Sequence, residues 1–483
     1  MTATAPFEDL LPDIRLGVVR ATSFGLFGPP ETFVPQARSM GAGIVRVNIF
    51  WSQVEPEPGR WVWEAVDSLL DQLEDGVEAW VTVCAGSRWA TRHATGWLPA
   101  SPAVDLDRYR RFVSELVGRR PGRIRFWQCE IEPCLRLFWA GTAEEYVTHL
   151  REFYGAVKEA DPDALVVLGG AVPGAMLGDG AAGAKTWASF FGEVLRATGE
   201  YFDVFDVHPY GDPYLVPALI DASRSQMAIY GYQKPVVAGE HGGPLPIEFR
   251  ENLPHLKDVL VANQQQFQGE VPMPDTAEEL VAAEDAAVVE LYERMDELAP
   301  TLQMFMVDCP EELADRRHRL ACRDLVMRTM LALSTGVRRT FHYPLAPERP
   351  LRRDGRFAGA LLFGKLALMD CDGDALGDRY PAADTFELLA RKLAGADRVR
   401  RLTVPDLPDL YLFEVQRGDR APLLVVWERR DSEEDKPPTE FTWNWPHPQA
   451  IAVDVFDSEI PSEARNGVLR VEVTPTPIFI DVA

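Results

Sequence analysis

Residues 123–134 read RIRFWQCEIEPC, an apolar run that closes on Glu132 and then meets Pro133. Proline has no N–H to give to a ladder, so it ends a strand rather than continuing one. The pattern therefore predicts a strand over 123–131 with Glu132 at its C-terminal tip. A carboxylate at the end of an apolar segment is costly unless it is paired or put to use. On position alone, a salt bridge to a loop arginine such as Arg136 and a functional role weigh evenly.

The same pattern recurs through the first four-fifths of the chain. RLGVVR (15–20), GIVRVNIF (43–50), EAWVTVCAG (78–86), ALVVLGG (164–170), FDVFDVH (202–208), KPVVAGE (234–240) and VRRTFHY (337–343) are short apolar runs. Near-continuous apolar character marks strands covered on both faces, as in a parallel sheet. Between them, apolar residues return every three or four positions, as in DRYRRFVSELV (107–117), AEEYVTHLREFYGAVKEA (143–160) and CRDLVMRTMLALST (322–335). That is the helical period. Eight strand–helix units predict an α/β protein, a (β/α)8 TIM barrel whose catalytic residues stand at the C-terminal ends of its strands.

Residues 245–321 lengthen the connection after the seventh strand far beyond an ordinary βα loop. A helical pattern covers 276–298 within it. Such an insertion emerges on the catalytic face, so a wall or lid of the pocket and a separate subdomain are equally open readings. After about residue 395, segments such as DLYLFEVQRG and GVLRVEVTPTPIFIDV read as short antiparallel strands with turns between them. The expected organisation is a catalytic barrel over 1–394 and an accessory β-sandwich over 395–483.

The 483 residues carry a formal charge of −25 and are 46% hydrophobic. The hydrophobic share supplies a large core, and the acidic surface argues against nucleic acid or anionic membrane as partners. The N-terminal MTATAPFEDLLPDIR has neither the basic nor the apolar region of a secretory signal, so the expected location is cytoplasmic. None of the six cysteines forms a CxxC pair, which predicts reduced thiols. Metal-hydrolase, P-loop and dinucleotide fingerprints are missing, so no metal and no organic cofactor are expected.

KPVVAGEHGGP places a second carboxylate, Glu240, at the end of the seventh strand, and FDVHPYG places His208 and Tyr210 at the end of the sixth. Glycoside cleavage needs two carboxyl groups facing one bond, and the retaining route holds them about 5–5.5 Å apart. Strand tips of one barrel can do this. His208 and Tyr210 are placed to hydrogen-bond a nucleophile or a sugar.

Several segments in this order resemble the clan A glycoside hydrolases, particularly the β-xylosidase-like members of family 39. They are VRVNIFWSQVEPEPGRWVWEAVDSLLDQL (45–73), FWAGTAEEYVTHLREFYGAVKEADPDALVVLGG (138–170), DVHPYG, KPVVAGEHGG and the closing GVLRVEVTPTPIFIDV. The resemblance covers most of the chain. It implies that Glu132 is the general acid/base and Glu240 the nucleophile, with Arg46 keeping the nucleophile ionised. His208 and Tyr210 would line the sugar site. Trp51, Trp89, Trp97 and Trp139 are candidate stacking platforms, although core packing is the better wager for each. His241, next to Glu240, joins the candidate binding residues.

One position departs from the family pattern Asn-Glu-Pro, which is here Ile131-Glu132-Pro133. Isoleucine cannot bond the sugar 2-hydroxyl as that asparagine does, and losing such a contact costs about 1–3 kcal/mol. Glu130, where the family carries an aromatic residue, and His93 are candidate replacements. The implied function is a retaining glycoside hydrolase, or a transglycosylase, acting on a β-linked small-molecule or oligosaccharide glycoside. The alternatives are a carbohydrate- or small-molecule-binding barrel without turnover, and a barrel redirected to other acid/base chemistry on a glycosylated natural product.

Overall fold

The structure, a computed structural model, describes residues 10–20, 33–73, 76–172, 181–270, 284–347, 357–372, 375–430 and 437–482. Eight parallel strands close in sequence order into a barrel. They are β1 (Arg15–Arg20), β2 (Ile44–Phe50), β3 (Glu78–Cys84), β4 (Phe126–Cys129), β5 (Leu165–Ala171), β6 (Val204–Val207), β7 (Val236–His241) and β8 (Arg339–His342). Each falls within, or one residue beyond, a run read from the sequence. Alternation sorts the side chains into two sets. Val19, Ile44, Trp80, Phe126, Val167, Val204, Val237 and Phe341 fill the barrel. Val18, Val45, Val47, Val81 and Val166 face the surrounding helices. Two apolar faces per strand leave no room for a polar alternation, which is why the runs look continuous in sequence.

The helix Ala143–Ala160 shows how the outer layer is placed. Thr142 accepts from the Glu145 amide while Glu145 accepts from the Thr142 amide, a capping box that fixes the first turn. Its buried face includes Tyr146, His149, Leu150, Phe153 and Val157.

Two expectations need correction. β4 stops at Cys129, two residues short of the expected end, because Glu130 adopts a left-handed φ of 61° before Pro133 is reached. The helix entering β8 starts at Glu311 rather than near 322. Within the insertion, 276–283 lie outside the described residues. The remainder of the expected helix is Ala286–Glu293 followed by a 3-10 turn at Met295–Glu297. This region builds its own core, in which Leu256, Val259, Val288, Leu291 and Leu302 pack with Leu361 and Leu362 of the helix Ala358–Phe363.

C-terminal to the barrel, a six-stranded sheet packs on a three-stranded sheet formed by Thr439–Asn444, Val468–Val473 and Ser462–Arg465. In the strand Arg420–Glu428, Leu424 and Val426 face the second sheet, while Leu423, Val425 and Trp427 join the core shared with the barrel. Trp427 stacks on Phe413 at 4.9 Å and donates its Nε1–H to Tyr214 Oη at 3.2 Å. The antiparallel strand pair Met369–Asp372 and Ala375–Arg379 and the helix Pro381–Leu393 were not among the elements read from the sequence. Trp427→Ala, opening a cavity between sheet and barrel, is expected to destabilise the protein by about 3–5 kcal/mol in chemical denaturation.

Candidate active site

Four local devices bring the chemistry to the C-terminal mouth. On β2, alternation turns Arg46 inward with Ile44. On β6, Asp206 points inward two residues before His208, as the pleat requires. The β5–β6 register passes from Leu168↔Phe205 to Ala171↔Val207, so a bulge at Gly169–Gly170 lies beside His208. A Cβ on Gly170 would collide with the His208 ring. The β7–β8 register passes from Ala238↔Thr340 to His241↔His342, a second bulge. It re-aims Glu240, which strict alternation would send outward, toward the barrel axis.

Arg46 is fully buried at the centre. Its Nη1 lies 2.7 Å from Gly239 O and 3.3 Å from Glu240 Oε2, and its Nη2 donates to Gln128 Oε1 at 2.9 Å. Asp206 Oδ2 is 3.7 Å from Arg46 and accepts from Gln128 Nε2 at 2.7 Å. His208 Nδ1 stands 2.6 Å from Glu132 Oε1 and 3.8 Å from Glu240 Oε2, while its Nε2 is 3.1 Å from Asp206 Oδ2. Tyr210 donates its hydroxyl to Glu240 Oε1 at 2.9 Å.

Burial by itself disfavours a charged His208. The neighbouring Asp206 and Glu240 charges and the hydrogen bonds to Asp206 and Glu132 overcome it and push its pKa up to about 10. Protonated at both nitrogens, His208 donates Nδ1–H to Glu132, and its Nε2, 3.1 Å from both Asp206 Oδ2 and Arg46 Nη1, turns its proton toward Asp206. Burial raises the Glu240 carboxyl above its ordinary value, as does Glu132, against the lowering pull of His208 and Arg46. Two cations thus face three carboxylates. Glu132 and Glu240 stand close enough to repel each other when both are ionised. One protonated and one ionised carboxyl is the state that acid-assisted displacement requires.

The geometry brings together Glu132, Glu240, Arg46, His208 and Tyr210. It separates the other expected binding residues from them. Glu130 is fully buried behind β4, bonded to His149 Nε2 at 3.1 Å and to the Ala85 amide at 3.0 Å. Trp51 is inverted relative to the inward Phe50 and stacks on Phe112 at 4.8 Å. Trp89 meets Trp51 edge-on at 5.7 Å, and Trp139 packs on Tyr146. His241 lies beyond the bulge and bonds Thr340 Oγ1 at 2.7 Å; burial depresses its pKa well below the ordinary range. Burying a large ring stabilises the core, and the helix-facing sides of β2–β4 supply the space. Ile131 joins Phe50, Cys84, Trp97 and Leu98 in an apolar cluster, and His93 is exposed.

Asp206 and Gln128 were not read from the sequence. For Asp206 the signal was present, as its two-residue spacing from His208 puts both on one face. Gln128 carried no comparable mark. Among the described residues, Glu132, His208 and Glu240 also form a group able to hold a metal ion, with one ligand atom each within 4.8 Å of the others. Arg46 and the His208 proton already supply positive charge there, and a metal on Nδ1 would have to displace that proton.

Comparison with solved structures yields strong whole-chain matches. A family 39 glycoside hydrolase from Bacteroides cellulosilyticus WH2 superposes with a TM-score of 0.58 at 14% identity, covering 97% of this chain and 81% of the other. The chain has the fold of the clan A glycoside hydrolases. A glucosidase from Croceicoccus marinus matches with a TM-score of 0.55 at 12% identity, over 97% of this chain and 98% of the other. A conserved exported protein from Bacteroides fragilis matches at 0.54 and 11% identity, over 98% and 99%. No family model matches the sequence, and no curated protein is significantly similar to it. Among the described residues, no helix is long and apolar enough to cross a membrane.

The raised His208 value makes stability depend on pH. Its folded pKa of about 10 lies above the ordinary 6.5, so the stabilisation is complete below about 6.5 and drains away as pH rises towards 10. Denaturant midpoints across that range should fall with pH in the wild type, and the slope should flatten in His208→Gln.

Proposed function

We propose that the protein is a retaining β-glycosidase, or a transglycosylase of the same mechanism, with a small-molecule or oligosaccharide glycoside as substrate. The observation that carries this reading is the approach of carboxylate oxygens of Glu132 and Glu240 to within 4.8 Å at the tips of β4 and β7. That spacing suits direct attack and leaves no room for the water that an inverting enzyme places between its carboxyls. The fold shared with a family 39 glycoside hydrolase supports it independently.

In this mechanism Glu132, protonated, donates to the leaving-group oxygen while Glu240 attacks the anomeric carbon. Arg46 and the Tyr210 hydroxyl hold the attacking carboxylate in place. Once Glu240 is esterified its negative charge is gone, and ionised Glu132 accepts a proton from the incoming water or acceptor hydroxyl. His208 keeps one N–H on Glu132 and one on Asp206, tying the acid/base to the same network as the nucleophile. Neither metal nor organic cofactor takes part in these steps.

The apolar surroundings of Ile131 favour a second reading, a barrel that binds a glycosylated small molecule without cleaving it, or turns the same carboxylates to other acid/base chemistry.

Both readings meet one experiment. The wild type is incubated with 2,4-dinitrophenyl 2-deoxy-2-fluoro-β-glycosides of glucose, xylose and mannose, and intact and peptide masses are recorded. A single glycosyl adduct on the peptide containing Glu240, absent in Glu240→Gln, is the expected result. Saturable binding of glycosides with neither adduct nor turnover would move the assignment to the second reading. On the first reading, Glu132→Gln should lower kcat/KM for poor leaving groups by roughly 10²–10⁴-fold, the usual share of general acid catalysis.

A further inference from the structure

The turn that presents Glu132 is backbone-strained. Glu130 and Glu132 have φ of 61° and 40°, both left-handed and neither glycine. Such conformations persist only where surrounding contacts over-determine them.

The contacts around Glu130 do so in a specific way. The β3–β4 ladder aligns Val83 with Cys129, so the next register pair is Cys84 with residue 130. In a parallel ladder, a residue donates its N–H to one neighbour and accepts at its C=O from another two positions on. Glu130 makes the first bond, its N–H reaching Val83 O at 3.1 Å. The second bond would run from the Ala85 amide to the Glu130 carbonyl. Instead the Ala85 amide donates to the side-chain Oε1 of Glu130 at 3.0 Å. The carboxylate stands in for the residue's own carbonyl, and the main chain is released to turn. His149 Nε2 holds the same oxygen at 3.1 Å, and its ring is clamped by Tyr109 at 3.8 Å and Trp139 at 5.1 Å. On the opposite edge of β4, the Tyr146 hydroxyl donates to Cys129 O at 2.8 Å and accepts from Gly169 N on β5 at 3.1 Å. Side chains therefore tie the tip of β4 to both neighbouring strands.

We infer that Glu130 is a positioning residue, whose side-chain acceptor replaces a strand hydrogen bond and so fixes the left-handed turn that aims Glu132 at the glycosidic oxygen. This rests on the acid/base reading of Glu132. An aromatic side chain at 130 has no acceptor with this reach. The role requires an acceptor, not a charge, so glutamine should serve.

The test compares Glu130→Met, Glu130→Gln and Tyr146→Phe with the wild type in full-length protein. Substrates are 2,4-dinitrophenyl β-glycosides, which leave without acid help, and 4-methylumbelliferyl and methyl β-glycosides, which need it progressively more, each of glucose, xylose and mannose. Glu130→Met should lose roughly 10²-fold in kcat/KM on the poor leaving groups while staying within a few-fold on dinitrophenyl substrates. Glu130→Gln should restore both. Tyr146→Phe should show the same split more weakly, and it carries the test if Glu130→Met does not fold. Hydrogen exchange at the Ala85 amide should quicken in Glu130→Met and stay slow in Glu130→Gln, which checks the strand substitution without reference to catalysis. Equal losses on all leaving groups, or no loss with the fold intact, overturn the inference and leave the glycosidase reading standing. A wild type that turns over none of these substrates overturns the glycosidase reading and the inference resting on it, even where the Ala85 amide behaves as expected.

Discussion

The site depends on one buried imidazolium. His208 sits between Asp206 below it and the two strand-tip glutamates above it, with Arg46 alongside. It and one guanidinium face three buried carboxylates, whose charge would be costly to bury without such partners.

The frame around this group departs from regularity at defined points. The bulge at Gly169–Gly170 leaves room for the His208 ring, the bulge at Glu240 turns that side chain inward, and the left-handed residues at 130 and 132 turn Glu130 out of the barrel at the end of β4. The left-handed φ at 130 and 132 costs strain, and buried contacts secure both the bulged and the left-handed segments. Asp206 accepts from the Gly239 amide at 2.9 Å, in the segment that bulges. The strain at β4 is met by Glu130, His149 and Tyr146.

The mouth is asymmetric. Its β4–β7 half is ionic, whereas the tips of β2 and β3 present Phe50 and Cys84 to Ile131, Trp97 and Leu98. Tyr210, the residue on Glu240, packs against Phe363 at 6.0 Å, and Phe363 in turn packs on the core of the long insertion. The insertion's own cluster thereby reaches the surroundings of Glu240.

The sequence by itself determined the barrel, because eight doubly buried strands and the helices between them leave two periodicities that survive in one dimension. It also located Glu132, Glu240, Arg46, His208 and Tyr210, since a carboxylate or a ring at the end of an apolar run has few other reasons to be there, and the family resemblance supplied the arginine. Which face a residue takes near a strand tip was decided only in three dimensions. A one-residue bulge or a single left-handed φ reverses it without a mark in the composition. That is why Glu130 and His241, which read as neighbours of Glu132 and Glu240, point away from them. Trp51 and Trp139 were likewise settled by packing, because an indole is equally at home on a sugar and in a helix interface. Asp206 and Gln128 acquired their roles from partners 160 and 78 residues away in the chain, a distance across which no local pattern speaks.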